Sequence, residues 1–246
     1  MVLLLLALAV GVGCSSGFKD DPILVLSSAE ALEEGKKLME AGKYRLARDY
    51  LIHSFEIEPN SVGGREALLL AAEAYFLQGG ADNYIRAESR YRDFQTRFPT
   101  SQRASYVQFQ IANCLSRRVA KPDRDQSSTL KALQEYQTLI ELYPTSQHVQ
   151  QATEEMQALR QLLAKHEFQI GRFYFRYGNL NGAKLRLQYV LDNYPEFERR
   201  DQALYLLGMT FRRSKQDDES TSTFEQLVRE YPDSQYVKQI PDSSRG

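Results

Sequence analysis

The sequence predicts an all-α fold of about five helix-pair repeats, with roughly ten helices. The first observation behind this prediction is a recurring proline, which lies in the phrases EIEPNS (56–61), RFPTSQ (97–102), LYPTSQ (142–147), NYPEFE (193–198) and EYPDSQ (230–235). Proline lacks a backbone N–H and disfavours helical geometry at the residue before it, so each phrase should end a helix. The Ser or Thr that often follows is a candidate N-cap for the next helix.

The second observation is the spacing of small and large residues. A small residue lies twelve positions before each proline: Ala47, Ala87, Ala132, Ala183 and Ser220. A large apolar residue follows four positions later, at Leu51, Tyr91, Tyr136, Leu187 and Phe224. In three repeats another small residue lies twelve positions earlier, at Gly35, Gly171 and Gly208. Small residues allow two helices to approach closely, and large ones fill the space between pairs.

This spacing resembles the tetratricopeptide repeat (TPR), whose helix pairs stack into a superhelix with an extended concave surface. We expect repeats at about 28–61, 62–101, 102–146, 147–197 and 198–234. The prolines are 40, 45, 51 and 37 residues apart, against about 34 for a minimal repeat. The additional residues in these longer repeats predict a longer turn at Gly79–Asn83, an insert at 116–128 and a long helix from about His148 to Tyr177.

The N-terminal segment predicts export and lipidation. Residues 1–12 are almost wholly apolar and too short to span a bilayer as a helix. The segment ends in small residues before Cys14, which resembles a bacterial lipobox, although Gly11 replaces the usual Leu. We expect a signal peptide at 1–13, a lipidated Cys14 with a tether at 14–27, the repeat array at 28–240 and a disordered tail at 241–246. The alternative is a plain secretory signal with an incidental cysteine.

Composition excludes several other classes. The formal net charge is −1, with 31 basic and 32 acidic residues, whereas a nucleic-acid-binding domain usually carries a basic excess. The two cysteines and three histidines lack the spacing of a metal site. We expect no cofactor apart from covalent lipid on Cys14. No catalytic constellation is visible, so the sequence predicts a binding protein and not an enzyme.

Two charged groups are candidate binding sites. One is Asp123-Arg124-Asp125 in the insert, whose simpler role is local: capping of the next helix by Asp125 or Ser127 and pairing of Arg124 with an acid. The other is a basic set around repeat 4, for which the alternatives are a solvated face and a docking surface for an acidic partner. Its members are Arg172, Arg176, Lys184 and Arg186, with Arg199 and Arg200 nearby.

The stretch from Asp123 to Pro195 resembles the BamD family closely. It contains DRD (123–125), LYPTSQ (142–147), the long helix with LAKHEF (163–168), a Tyr-rich helix end at Tyr174 and Tyr177, and LDNYP (191–195). The resemblance implies a lipoprotein scaffold anchored in the bacterial outer membrane and facing the periplasm. It implies binding to the POTRA domain of a BamA-like β-barrel protein, to unfolded outer-membrane proteins and to other lipoproteins of that assembly machinery.

The resemblance also implies residue roles. Arg186 matches an arginine that faces BamA in the family, and the N-terminal repeats should form a substrate pocket. Large side chains in repeat 2 that we expect to be partly exposed there are Tyr75, Tyr84, Tyr91 and Phe94. Packing between helices explains most of these aromatics equally well. The alternative function is another periplasmic TPR scaffold lipoprotein, concerned with coordination of the cell wall or envelope.

Overall fold

The computed structural model describes residues 22–242, and this range forms ten α-helices and one short 3-10 helix. The α-helices are α1 (Ser28–Glu40), α2 (Tyr44–Ile57), α3 (Val62–Gln78), α4 (Ala81–Arg97), α5 (Ala104–Ser116), α6 (Ser127–Leu142), α7 (Val149–Arg176), α8 (Leu180–Asn193), α9 (Arg200–Arg213) and α10 (Asp217–Glu230). Consecutive helices pack on each other along the whole array. The predicted all-α fold of helix pairs is therefore confirmed. The predicted signal peptide and Cys14 lie outside the described residues.

The short turns within three of the pairs use left-handed backbone. Gly42, Gly178 and Lys215 have φ values of 68°, 79° and 58°, a region that glycine enters without steric cost. The longer turn predicted for repeat 2 is wrong, because only Gly79 and Gly80 separate α3 from α4. The extra length of that repeat lies instead in its helices, which have 17 residues each.

The proline phrases end helices as predicted. The residue before each of Pro99, Pro144, Pro195 and Pro232 has φ between −129° and −137° and ψ between 58° and 68°, outside the helical region. The predicted N-caps are correct only in part. Ser61 caps α3, and its Oγ accepts a hydrogen bond from the Gly64 backbone N–H at 2.8 Å. Ser101 and Ser146 lie two residues before the cap positions of α5 and α7, and they accept from the backbone N–H groups at those positions.

The small residues lie where paired helices meet. A Cβ added at any of the three glycines of the repeat spacing would come within 2.6–3.0 Å of a buried side chain in the partner helix, in the pairs Gly35 with Leu51, Gly171 with Leu187 and Gly208 with Phe224. The contacts at Gly35 and Gly208 are shorter than real Cβ contacts, and the one at Gly171 would require Leu187 to shift. Glycine at these positions therefore lets the large residue pack closely against the partner helix.

The apolar core is divided into three clusters. One joins α1–α5, a second joins α5, α6 and the first half of α7, and the third joins the second half of α7 to α8–α10. Helix α7 has 28 residues and supplies Ala152 and Leu159 to the second cluster and Ala164 and Phe168 to the third. The long helix predicted for repeat 4 is thus a shared element of two cores.

The two ends of the array are covered by short segments. At the N-terminal end, the His53 ring contacts the Leu26 carbonyl at 3.1 Å. At the other end, Val237–Gln239 form the 3-10 helix, Tyr236 stacks on Tyr205 with ring centroids 5.3 Å apart, and Ile240 is buried. At the C-terminal end these contacts shield apolar side chains that a further repeat would otherwise cover.

Candidate protein-binding surfaces

The insert between α5 and α6 is held by its own hydrogen bonds. Asp125 accepts hydrogen bonds from the Ser127 backbone N–H at 3.1 Å and from the Ser127 hydroxyl at 2.9 Å. The Gln126 side-chain amide donates to the carbonyls of Lys121 and Arg124. The Asp123 and Arg124 side chains remain largely exposed and lie 4.0 Å apart. Asp125 therefore has a local structural partner, whereas Asp123 and Arg124 face solvent.

Helix α7 connects this insert with Arg186. The His166 ring contacts the Pro122 carbonyl, which immediately precedes Asp123. The next residue of α7, Glu167, accepts a hydrogen bond from Arg186 Nη1 at 2.7 Å. The Glu167 side chain is 16% exposed and that of Arg186 is 39% exposed. The insert and Arg186 therefore contact two consecutive residues of α7, His166 and Glu167. Part of the Arg186 guanidinium remains accessible to solvent.

The rest of the basic set is divided between bound and free side chains. Arg200 donates to the Leu191 carbonyl and lies 3.6 Å from Glu230, and the Arg199 guanidinium lies over the Phe168 ring. Arg172 and Arg176 are exposed. The set is therefore not one continuous surface, because Arg199 and Arg200 serve the packing of the third core.

The aromatic residues predicted for a substrate pocket are distributed differently from expectation. Tyr91 and Phe94 are buried members of the first core, so the expectation that they are partly exposed is wrong for both. Tyr75 is half-buried beneath the Arg48 guanidinium, and Tyr84 is half-buried against Phe76. Ala87, Tyr91 and Phe94 follow one another at spacings of four and three residues, so they lie on one face of α4, and that face is the helix interface.

A groove of about 730 Å³ lies beside these residues, between α3, the end of α4 and the α4–α5 loop. Its apolar walls include Leu69, Leu70 and Phe98, and only Phe94 of the four predicted aromatics lines it. Its charged walls include Arg65, Arg97, Arg103, Glu66 and Glu73. No local pattern in the sequence predicts this groove, because it depends on how the loop after Phe98 and Pro99 crosses α3.

The groove contains one carboxyl group with a perturbed pKa. Burial raises the pKa of Glu73, and two favourable contacts oppose this: a hydrogen bond from the Tyr106 hydroxyl at 2.9 Å and the nearby charge of Arg103. Burial and the Glu73 charge also raise the pKa of Tyr106 to about 12. The groove therefore offers both charge signs to a ligand over an apolar floor.

A charged network that was not predicted joins repeats 2 and 3. Arg92 contacts Glu88 at 3.0 Å and Glu135 at 2.7 Å, and Arg118 pairs with the other oxygen of Glu88. The Gln108 amide donates to Glu135 at 2.7 Å. The sequence signal for this network was the pair Arg117-Arg118, which directly follows α5. Of the two, Arg118 forms the ion pair with Glu88 of the preceding repeat.

Other chemistry is limited in the described part of the chain. Residues 22–242 hold no group of three or more His, Cys, Asp and Glu side chains arranged to bind a metal ion. Burial raises the pKa of the free Cys114 thiol to about 12. Within the same range, no helix has both the length and the apolar character needed to cross a bilayer.

Comparison with known proteins identifies the family to which this sequence is similar. Residues 26–218 match the YfiO family, described as "Outer membrane lipoprotein". The outer membrane protein assembly factor BamD of Rickettsia prowazekii is 26% identical over 234 residues, which cover 95% of this chain and 91% of the relative. The protein of the same name from Haemophilus influenzae is 24% identical over 220 residues, which cover 85% and 82%.

Among solved structures, the TPR2AB domain of yeast Sti1 in complex with pHSP90 is similar with a TM-score of 0.45 and 14% identity. The match covers 83% of this chain and 78% of that chain. The resemblance to the BamD family stated above is confirmed by the family match, which spans most of the described helices. The chain therefore belongs to the YfiO family of outer membrane lipoproteins.

Proposed function

We propose that the protein is a non-catalytic scaffold for assembly of outer-membrane β-barrel proteins, lipid-anchored in the outer membrane and facing the periplasm. The observation that carries this proposal is the family match over residues 26–218. Two relatives named as outer membrane protein assembly factors are also similar to this chain over most of their length. The fold supports it, because stacked helix pairs offer extended surfaces for partner proteins. A pull-down from detergent-solubilised envelope should recover a β-barrel protein with POTRA domains. Recovery of cell-wall enzymes alone would favour the alternative function in envelope coordination.

The anchor is proposed at Cys14. Several acyl chains hold a protein stably at a membrane, since each buried methylene contributes about 0.8 kcal/mol. We expect Cys14→Ala to release the protein from membranes, measured by fractionation at high salt. A variant that stays in the membrane fraction would contradict lipidation at this residue.

The BamA-like partner is proposed to bind beside Arg186. The half-exposed guanidinium uses Nη1 for Glu167, and its other N–H groups are suited to a partner carboxylate in paired geometry. The insert contacts the neighbouring residue of α7, His166, through the Pro122 carbonyl, and the exposed side chains of Asp123 and Arg124 follow directly after Pro122. Arg186 and the insert are therefore proposed to form one docking surface, beside the middle of α7, for a folded domain of mixed charge.

Charge reversal tests this assignment. Arg186→Glu should reduce co-purification of the BamA-like protein by roughly tenfold or more, because the new carboxylate repels both Glu167 and the partner carboxylate. Arg86→Glu is the matched control, since Arg86 is exposed on α4 in a different repeat. Equal recovery with both variants would refute a role for Arg186 in docking.

Unfolded outer-membrane proteins are proposed to bind the groove between α3 and the α4–α5 loop. Its volume of about 730 Å³ is within the usual range for ligand sites, and its apolar walls suit an extended peptide end with a large side chain. A photo-crosslinker at Leu70 should capture an unfolded barrel protein. The same crosslinker at Ile85, which is exposed on α4 away from the groove, should not. Equal capture at both positions would argue against a defined pocket.

A further inference from the structure

The end of helix α7 has an unusual distribution of charge. From Phe168 to Leu191 the chain contains four cationic residues and no Asp or Glu. Arg186 is paired with Glu167, and Lys184 is near the Gln216 side chain and the Phe211 ring. Arg172 and Arg176 are exposed, and their side chains form no hydrogen bond or ion pair within residues 22–242. They lie one helical turn apart, so their charges point to neighbouring positions on the surface.

Two aromatic rings stand beside these arginines. Phe173 is 55% exposed and Tyr177 is 69% exposed, and their ring centroids are 4.4 Å apart. Each ring follows an arginine in the sequence, so the two rings and the two cations form adjacent stripes. We call Arg172, Phe173, Arg176 and Tyr177 the α7 patch.

Folding alone does not explain this patch. A cation in the last turn stabilises a helix end, which accounts for Arg176. Neighbouring rings on the same helix are covered within the fold: the Arg213 guanidinium lies 4.2 Å from the Phe175 ring centroid, and Tyr174 packs against the third core. Phe173 and Tyr177 contact each other but remain open to solvent, and clustered exposed rings typically mark a binding surface.

We propose that the α7 patch rests on the surface of a bilayer that contains anionic phospholipid. Aromatic rings with polar neighbours are favoured at the membrane interface. Arginine can lay its aliphatic stem on the acyl region while its charge meets a phosphate. No Asp or Glu lies between Phe168 and Leu191, so the patch itself presents only positive charge to such a surface.

The size of the patch favours lipid over a protein partner. A stable protein interface involves roughly 20–30 residues on each side, whereas the patch has four. A small contact is sufficient when the molecule is already held near the membrane, because tethering raises the effective concentration. The inference therefore rests on the proposed lipid anchor, and it adds an orientation: repeat 4 contacts the membrane that carries the anchor.

The chain contains no tryptophan, so Phe173→Trp introduces a single fluorescent reporter. The lipidated full-length variant is reconstituted in vesicles of phosphatidylcholine alone or with phosphatidylglycerol. We expect a blue-shifted emission and quenching by brominated lipid only with phosphatidylglycerol. Both effects should disappear when Arg172→Glu and Arg176→Glu are added. Leu77→Trp is the matched control, because Leu77 is 53% exposed at the end of α3, and its emission should not change.

The outcomes separate this inference from the anchor. A chain that floats with both vesicles while the Phe173→Trp reporter stays unquenched contradicts the patch alone. A chain that floats with neither contradicts both the anchor and the patch. Equal quenching at the two reporter positions, or a shift that occurs only when the BamA-like protein is added, overturns the lipid contact and, in the second case, assigns the patch to protein binding.

Discussion

Replacing Gly64 by alanine should destabilise the chain, whereas the same change at the preceding Gly63 should not. Both glycines lie in the first turn of α3. A Cβ at Gly64 would lie 1.9 Å from the backbone oxygen of Glu58, far below the 3.0 Å limit of real Cβ contacts. The nearest atom to a Cβ at Gly63 is a Leu32 methyl carbon at 3.4 Å, an ordinary contact.

The magnitude follows from three terms. Alanine in a helix is favoured over glycine by up to about 1 kcal/mol, which is the gain expected at Gly63. At Gly64 the Glu58 carbonyl must move, and crowding of this kind costs about 1–3 kcal/mol. The movement also disturbs the Ser61 cap, which bonds both Gly64 and Glu58 and is worth about 0.5–2 kcal/mol. We expect a net loss of about 0.5–4 kcal/mol for Gly64→Ala.

Urea denaturation followed by circular dichroism measures both variants against the parent chain. The expected result is a lower midpoint for Gly64→Ala and an unchanged or slightly higher one for Gly63→Ala. Equal midpoints for the two variants would refute the close approach of the Glu58 carbonyl to α3, and with it this account of how the first proline phrase connects repeats 1 and 2.

Three further predictions concern charges and the thiol. Arg118→Met should lower the free energy of unfolding by about 1–3 kcal/mol, because it removes a largely buried charged hydrogen bond to Glu88. Arg97→Met, which removes an exposed ion pair, should lower it by less than about 0.5 kcal/mol in the same denaturation assay. Similar losses for the two variants would contradict an inter-repeat role for the network. Burial raises the pKa of Glu73 in the folded state, so the native chain binds that proton more tightly and stability should fall as pH rises just above 4.5. Glu73→Gln should remove this component of the pH dependence, and a parent-like slope in the variant would exclude Glu73 as its source. The Cys114 thiol, with a pKa of about 12, should react with Ellman's reagent at pH 8 only at the rate of unfolding, and rapid labelling of the native chain would contradict its burial.

The sequence was sufficient for the helix pairs but not for the surfaces. Proline and small-residue spacing predicted the pairs because each of these residue types has a strong local effect on backbone or packing. The turn at Gly79 was overestimated because Asp82 and Asn83 are common in turns but also suit the first turn of a helix, where Asp82 lies and where the Asn83 amide donates to the Gly79 carbonyl. Tyr91 was misjudged because periodicity identifies a helical face without telling whether solvent or another helix covers it.

The partner of Arg186 illustrates what a single sequence cannot provide. Its bond to Glu167 joins residues 19 positions apart on two helices, and that pairing depends on the close approach of α7 and α8 at Gly171. The groove beside Phe98 likewise depends on how a loop crosses α3. Long-range placement of this kind is set by the packing of whole repeats and leaves no local pattern in the residues concerned.

The continuity of α7 has a mechanical consequence. Its 28 residues span about 42 Å at 1.5 Å per residue, and its two halves are embedded in different cores. A tilt imposed on the C-terminal repeats cannot be absorbed by a loop at this point, because the hydrogen-bonded helix is continuous. A displacement at one end of α7 is therefore transmitted to the other end, so α7 couples the second core mechanically to the third core.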